Sequence, residues 1–279
     1  MNSTLILITC TDKVGLVALI TQLLARHNLN IIAMREFVDE GANRFFSRIE
    51  SSGPGFDQQV LYDELKQALP EKAEISINPL TEKRIAVLVT KEYHCLADIL
   101  VRDVFHTLGA KVCCVAGNYD ALRSFTERFD IPFHFIDHSD KSKQEFEQEL
   151  SEAVNAYQPD YVVLAKFMRI LSSDFVSRYP NKIINIHHSF LPAFIGAGPY
   201  RQAFERGVKL IGATAHFVTN DLDEGPIIVQ QTIPVNHTFG VSEMVIAGKE
   251  IEKSVLSKAL QLVLQDRVFV AGNKTIIFE

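Results

Sequence analysis

Apolar residues recur along this chain in two rhythms, and the change falls near residue 80. Residues 4–10 (TLILITC) form a short, β-branched apolar run, the pattern of a strand. Asp12 follows as a turn or cap residue. Leu16, Leu19, Ile20, Leu23 and Leu24 then fall at helical spacing and make one apolar stripe. Asn28-Leu29-Asn30 breaks that helix. Residues 31–38 and 43–51 predict two strands around the turn Asp39-Glu40-Gly41. Residues 56–69 predict a helix and 73–78 a last short strand. The order β-α-β-β-α-β is the split βαβ, ferredoxin-like arrangement. Residues 79–83 (PLTEK) are polar and punctuated, so the linker is placed there, between domains at 1–80 and 84–279.

Beyond the linker, runs rich in Ile and Val lie at 84–90, 111–117, 133–136, 161–165 and 182–186, alternating with helical patterns. That alternation predicts a Rossmann-like α/β fold, a mostly parallel sheet with helices on both faces. Two more apolar runs follow at 211–218 and 226–235. Pro199 suits the first turn of a helix over 200–206. A long helix is expected at about 241–266, and residues 268–278 should close as a hairpin turning at Gly272-Asn273. There is no repeat of 20–50 residues and no low-complexity stretch.

Composition narrows the function class. The 279 residues suit one large or two modest domains, and 47% hydrophobic with 22% charged residues allows a core without metals or disulfides. A net charge of -6 with no Lys/Arg run argues against nucleic acid as a partner. No apolar stretch approaches the ~20 residues of a membrane span. The first residues, MNST, carry no basic region ahead of an apolar run, so no signal peptide is expected. Cys10, Cys95, Cys113 and Cys114 form no C-x-x-C pair and read as reduced, mostly buried thiols of a cytoplasmic protein. Cys113 and Cys114, adjacent in a strand, are expected on opposite faces. No His/Cys/Asp cluster has ligand spacing, so no metal is expected.

The chemistry concentrates after the 182–186 strand. Asn185 and His187, two apart, share a face, and His188 should point the other way. Ligands of open α/β sheets bind beyond the carboxyl ends of the strands. Ser189-Phe190-Leu191-Pro192 turns the chain away, and Phe194-Ile195-Gly196-Ala197-Gly198 makes a loop. The run ending His216-Phe217-Val218 leads into Thr219-Asn220-Asp221-Leu222-Asp223-Glu224-Gly225-Pro226, the densest acidic loop of the domain. A carboxylate beside a His and an Asn supplies a base, a proton handler and an oxyanion donor, the minimum for acyl transfer. Taken singly, each residue also fits a structural role as a cap, a hydrogen-bonding group or a solvated turn.

Asn185-Ile186-His187-His188-Ser189-Phe190-Leu191-Pro192, His216-Phe217-Val218, the 222–226 loop and Met168-Arg169-Ile170-Leu171 resemble the folate-dependent formyltransferase family over residues 84–279. Asp12-Lys13-Val14-Gly15-Leu16-Val17, with the βαββαβ order, resembles an ACT domain. The combination is similar to the formyltetrahydrofolate deformylase branch, and Lys91-Glu92-Tyr93-His94-Cys95-Leu96 fits that branch closely. The resemblance implies hydrolysis of 10-formyltetrahydrofolate to formate and tetrahydrofolate, serving one-carbon balance and formate supply for purine synthesis. Asn185 would hydrogen-bond the formyl oxygen, His187 would stabilise charge on it, Asp223 would position and help deprotonate water, and His216 would support Asp223. The backbones of Met168, Arg169, Ile170 and Leu171 and of Val218, Thr219, Asn220 and Asp221 would hold the pterin, with Leu164 and Ile183 as apolar walls. The folate is substrate, and no cofactor is implied. Asp12, Gly15 and Leu16 would meet an amino-acid effector, glycine or methionine, and ACT pairing implies a homo-oligomer. The family pattern implies Lys or Arg where this chain has Gly198.

Three rival readings are weighed. A dinucleotide oxidoreductase needs G-x-G-x-x-G after a strand, whereas the first turn of this domain, Thr90-Lys91-Glu92-Tyr93-His94, has no glycine. A glycinamide ribonucleotide formyltransferase needs a glycine-rich turn there to hold phosphate. A non-catalytic amino-acid sensor would fit the ACT-like half but not an intact Asn185, His187 and Asp223.

Overall fold

The computed structural model describes residues 2–79, 82–193 and 198–279. Two compact units emerge: residues 1–81 with the last two residues of the chain, and residues 82–277. Leu80 and Thr81 of the expected linker, and Phe194-Ile195-Gly196-Ala197 of the expected loop, lie outside the described residues.

The first unit runs β1 (Asn2–Thr11), α1 (Leu16–Arg26), β2 (Asn30–Asp39), β3 (Arg44–Gly53), α2 (Gln58–Ala68) and β4 (Glu74–Ile77). Its strands lie in the order β2-β3-β1-β4, every pair antiparallel. The period-2 pattern of β1 sends Ile6, Ile8 and Cys10 to one face. There they meet Leu16, Ile20, Leu23 and Leu24 of α1 and Leu61 and Leu65 of α2. Helix α1 begins at Gly15, whose φ of 90° is a left-handed conformation that favours glycine. Helix α2 begins at Asp57, whose carboxylate accepts from the Gln59 and Val60 amides at 2.9 and 3.2 Å. Such a cap is worth ~1 kcal/mol.

The second unit runs β5 (Lys83–Val89), α3 (His94–Val104), β6 (Ala110–Gly117), α4 (Arg123–Glu127), β7 (Phe133–Phe135), α5 (Lys143–Asn155), β8 (Tyr161–Leu164), α6 (Ser173–Ser177), β9 (Ile183–His187), α7 (Pro199–Arg206), β10 (Leu210–Phe217), β11 (Ile227–Pro234), α8 (Val241–Leu264), β12 (Val268–Ala271) and β13 (Lys274–Ile277). Seven strands form one sheet in the order β11-β10-β9-β8-β5-β6-β7. Strands β5 to β9 are parallel, while β10 runs antiparallel to both its neighbours. Along β5, Ile85, Val87 and Val89 join the core beneath α3 and α8, and Ala86 and Leu88 join the core beneath α5 and α6. The chain crosses back at β5, with β6 on one side and β8 on the other. That reversal opens a crevice at the carboxyl ends of the central strands.

One local expectation fails here. The β5–β6 register slips between Ile85 and Ala86, leaving Cys113 as the extra residue of a bulge. Alternation is interrupted, so Cys113 and Cys114 pack against the same core cluster, not on opposite faces. All four thiols are free.

Candidate active site

Strand β9 ends in the crevice, and its antiparallel partner β10 sets His216 opposite Asn185 and Thr214 opposite His187. Directly paired residues share a face, and Asn185 Nδ2 lies 3.2 Å from His216 Nε2. The chain then folds back sharply. The Phe217 amide donates to Pro226 O at 2.9 Å and the Glu224 amide to Asp221 O at 3.3 Å. Gly225 is required, because a Cβ there would sit 1.8 Å from Phe217 O. Asp223 adopts a left-handed φ of 58°. That costs a non-glycine residue about 1 kcal/mol, and such positions recur at functional sites. The turn delivers Asp223 Oδ1 to 3.3 Å from His187 Nδ1 and 3.7 Å from His216 Nε2. Four polar side chains separated by up to 38 positions thus converge.

Proton positions follow from the partners. His216 Nδ1 lies 2.9 Å from Phe217 O, and a carbonyl only accepts, so Nδ1 carries the proton. By the same argument His187 Nδ1 donates toward the Asp223 carboxylate. His187 Nε2 is buried and has no hydrogen-bond partner among the described residues. Burial alone raises the Asp223 pKa, but the His187 and His216 contacts outweigh it and hold the carboxyl well below the usual range. Asp223 is therefore ionised at neutral pH. The His187 and His188 rings stack with centroids 5.2 Å apart. Burial, then the Lys166 charge, lowers the His188 pKa to about 4, so this ring is neutral.

A cleft of ≈ 390 Å³ opens over this cluster. Of the expected binding residues, Leu164, Met168, Arg169, Ile170, Leu171, Val218, Thr219, Asn220 and Asp221 line it, beside Asn185, His187, His216 and Asp223. The Met168 amide is anchored by donating to Thr90 Oγ1 at 2.9 Å. The Arg169 guanidinium lies 4.6 Å over the Phe146 ring. Met168 and Ile170 are exposed, as apolar walls of an open cleft should be.

Three expectations need correction. Ile183 is fully buried among Ala86, Leu88 and Val162 and does not line the cleft. It shares the face of Asn185 and His187 but stands at the start of β9, away from the carboxyl end where the cleft opens, so it packs into the core. His188 does line the cleft, because β9 ends at His187 and strand alternation no longer applies to the next residue. In the first unit, Leu16 packs its side chain into the core, so it can face an effector only through its backbone. Lys166, Phe167, Ile186 and Leu222 also line the cleft and were not anticipated. A lysine directly following the buried run Val162-Val163-Leu164-Ala165 was the available signal for the first of them. Gly198 caps the start of α7 with φ 66°, which accounts for glycine there.

Comparison with known proteins identifies the family. Residues 83–260 match the Formyl transferase family and residues 4–67 the ACT domain family. The chain is 54% identical over 268 residues to a formyltetrahydrofolate deformylase of Escherichia coli O6:H1, covering 96% of this chain and 95% of that one. A formyltetrahydrofolate deformylase crystal structure from Pseudomonas syringae pv. tomato superposes with a TM-score of 0.94 at 39% identity, covering 99% of this chain and 94% of that one. Glycinamide ribonucleotide transformylase 1 from Symbiobacterium toebii matches at TM-score 0.69 and 31% identity, covering 72% of this chain and 96% of that one. The chain belongs to the formyltetrahydrofolate deformylase family.

Proposed function

We propose that this enzyme hydrolyses 10-formyltetrahydrofolate to formate and tetrahydrofolate in the cleft over Asn185, His187, His216 and Asp223. The observation that carries the reading is this convergence at the inner end of a largely apolar cleft. The pterin lies against the backbones of Met168–Leu171 and Val218–Asp221. Asn185 Nδ2 donates to the formyl oxygen. A second proton on His187 Nε2, balanced by Asp223 at Nδ1, donates to the same oxygen as charge develops on it. Each such donor is worth on the order of 10²–10³-fold. A carboxylate held this low is a weak base toward free water. Its work is to orient the water and to take up the proton as the carbon–oxygen bond forms. No cofactor has a part in this scheme. The decisive test is formate release from 10-formyltetrahydrofolate by the purified enzyme; no release would end the reading.

The first unit regulates the second, with the functional boundary at residues 80–84. Asp12, the Gly15 turn and the Leu16 backbone form the effector-facing element, and glycine and methionine are the candidates. Strand β2, at the sheet edge, leaves Ile32 and Phe37 exposed, which supports edge-to-edge pairing in a homo-oligomer. The free thiols suit the cytoplasm, and among the described residues no helix is long and apolar enough to cross a membrane. The released formate serves purine synthesis. Titration of both amino acids by calorimetry and in the formate assay tests the regulatory part. An effector must bind two states differently, with couplings of about 5–150-fold. Neither binding nor a rate change would leave this unit an assembly module.

A further inference from the structure

A second polar cluster stands behind the cleft. Glu252 of α8 is 1% exposed. Its carboxylate accepts from His94 Nε2 at 2.7 Å and from the Tyr200 hydroxyl at 2.6 Å, and it lies 3.2 Å from Lys166 Nζ. Burial works to raise the Glu252 pKa, but the His94 hydrogen bond, the Lys166 charge and the Tyr200 hydroxyl bring it down to about 2. Lys166, His94 and Tyr200 are buried as well. Helix α8 makes room for this: at Gly248, one turn before Glu252, a Cβ would sit 2.1 Å from the Tyr200 ring. Cys95 joins His94 and Glu252 within 4.8 Å, a geometry able to hold a metal ion that sequence spacing did not reveal. Lys166 already supplies the cation, and burial pushes the Cys95 thiol up, so the donors are committed.

The position of the cluster is what matters. Lys166 and His188 line the cleft, and His94 lines a separate groove of ≈ 440 Å³ between α3 and α8, with Tyr93, Asp98 and Lys249. The cluster is therefore the partition between the reaction cleft and an open groove. Buried ion pairs are a poor source of stability, since apolar residues of equal volume serve as well or better. Four polar side chains in a partition call for another account.

We propose that Lys166, Glu252, His94 and Tyr200 form the acceptor-side wall of the active site and determine the nucleophile, filling the space an amine would need to reach the formyl carbon and leaving room for water. This inference rests on the hydrolytic reading above. In hydrolysis the water oxygen bonds to the formyl carbon and the bond from that carbon to N10 breaks. N10 takes one water proton, and the other leaves on ionisation of formic acid. In transfer an amine nitrogen bonds to the same carbon, the same bond breaks, and an amine proton passes to N10. Both routes use Asp223, His187 and Asn185, so the choice lies in what fits beside them. Lys166 is the part of the wall that a substitution can remove. Its φ of 63° is a left-handed conformation that glycine adopts freely, so Lys166→Gly removes the side chain without backbone strain. It also opens the cleft onto the Glu252 carboxylate, which attracts a cationic amine.

The test supplies 10-formyltetrahydrofolate, 13C-labelled at the formyl carbon, with glycinamide as the probe amine, and follows the label by NMR. Wild-type enzyme should place the label in formate. Lys166→Gly should place label in formylglycinamide, raising the amide-to-formate ratio about tenfold or more, the scale on which a few methylenes of pocket discriminate substrates. Lys166→Met, which keeps the volume, should remain hydrolytic. Lys166→Ala carries the same expectation as the glycine variant should that one not fold. The inference is overturned if folded, folate-binding Lys166→Gly or Lys166→Ala partitions as wild type, or if Lys166→Met yields amide as readily as they do. Absence of formate from the wild type would instead overturn the proposed function.

Discussion

Two polar clusters adjoin the stacked pair His187–His188, and they differ in the length of their contacts. Around Asp223 the contacts are long, 3.2 to 3.7 Å. Around Glu252 they are short, 2.6 to 3.2 Å, and three donors converge on one carboxylate. Long contacts leave hydrogen-bonding capacity that a ligand can take up, and short, well-formed ones do not. The first cluster is thus arranged for a substrate and the second for rigidity. Both hold a carboxylate far below its ordinary pKa, so a perturbed pKa alone does not tell a reacting group from a structural one. Contact length does, whereas an unpartnered atom does not, since among the described residues His94 Nδ1 of the second cluster also lacks a hydrogen-bond partner.

The contrast is broken most directly at its two carboxylates. Asp223→Asn keeps the size and removes the charge. Turnover should fall by about two to four decades, the range for losing a general base, while folate affinity and melting temperature change little. Steady-state kinetics with a folate-binding measurement checks both halves, and wild-type turnover would remove Asp223 from the chemistry. Asn185→Ala, on the same side of the comparison, should cost about 10²–10³-fold in kcat, the loss of one oxyanion donor. Its KM should move far less, because the donor acts mainly on charge developed in the transition state. Glu252→Gln should behave in the opposite sense. It leaves Lys166 buried without its counter-charge, and stability should drop on the order of 3 kcal/mol, the lower end for breaking a buried pair, since Gln still accepts hydrogen bonds. Denaturant unfolding measures this, with turnover near wild type at a permissive temperature. Loss of turnover without loss of stability would show that the two clusters are not divided as described.

What the chain reveals before folding is uneven for the same physical reason. The strands and helices of both units follow from periodicity, because burial on one face imposes it locally. Asn185 and His187 are legible as a pair since they are two apart on one strand. His216 and Asp223 reach them through the β9–β10 register and the close approach at Gly225; the acidic loop was legible, but only the resemblance to a family singled out these two residues. Ile183 was misplaced because a wall residue and a core residue on one face of a strand differ only in their distance from its carboxyl end. The second cluster was not legible at all. His94, Tyr200 and Glu252 sit on three separate helices and Lys166 in the loop after β8, and each alone reads as an ordinary surface or core residue.

The smallest expected effect concerns pH, and it sharpens the comparison through stability alone. For both carboxylates the folded pKa is lowered. A group of this kind contributes stability that is fully present above its unfolded value, about 3.9 for Asp and 4.3 for Glu. That contribution is lost as pH falls through the folded value, because the unfolded chain then binds protons that the folded protein resists. Near neutrality neither group titrates. The melting-temperature gap between wild type and Glu252→Gln should therefore be flat from about pH 8 to pH 5 and close progressively below about pH 4, as the unfolded carboxylate becomes protonated. The corresponding gap for Asp223→Asn should close in the same window from a smaller starting value, since Asp223 is less deeply buried and its contacts are longer. Scanning calorimetry of the three proteins across that range gives both curves. A gap for Glu252→Gln that widened on acidification would mean that the carboxylate is protonated in the folded protein at neutral pH, and the ionic description of the wall would fail with it.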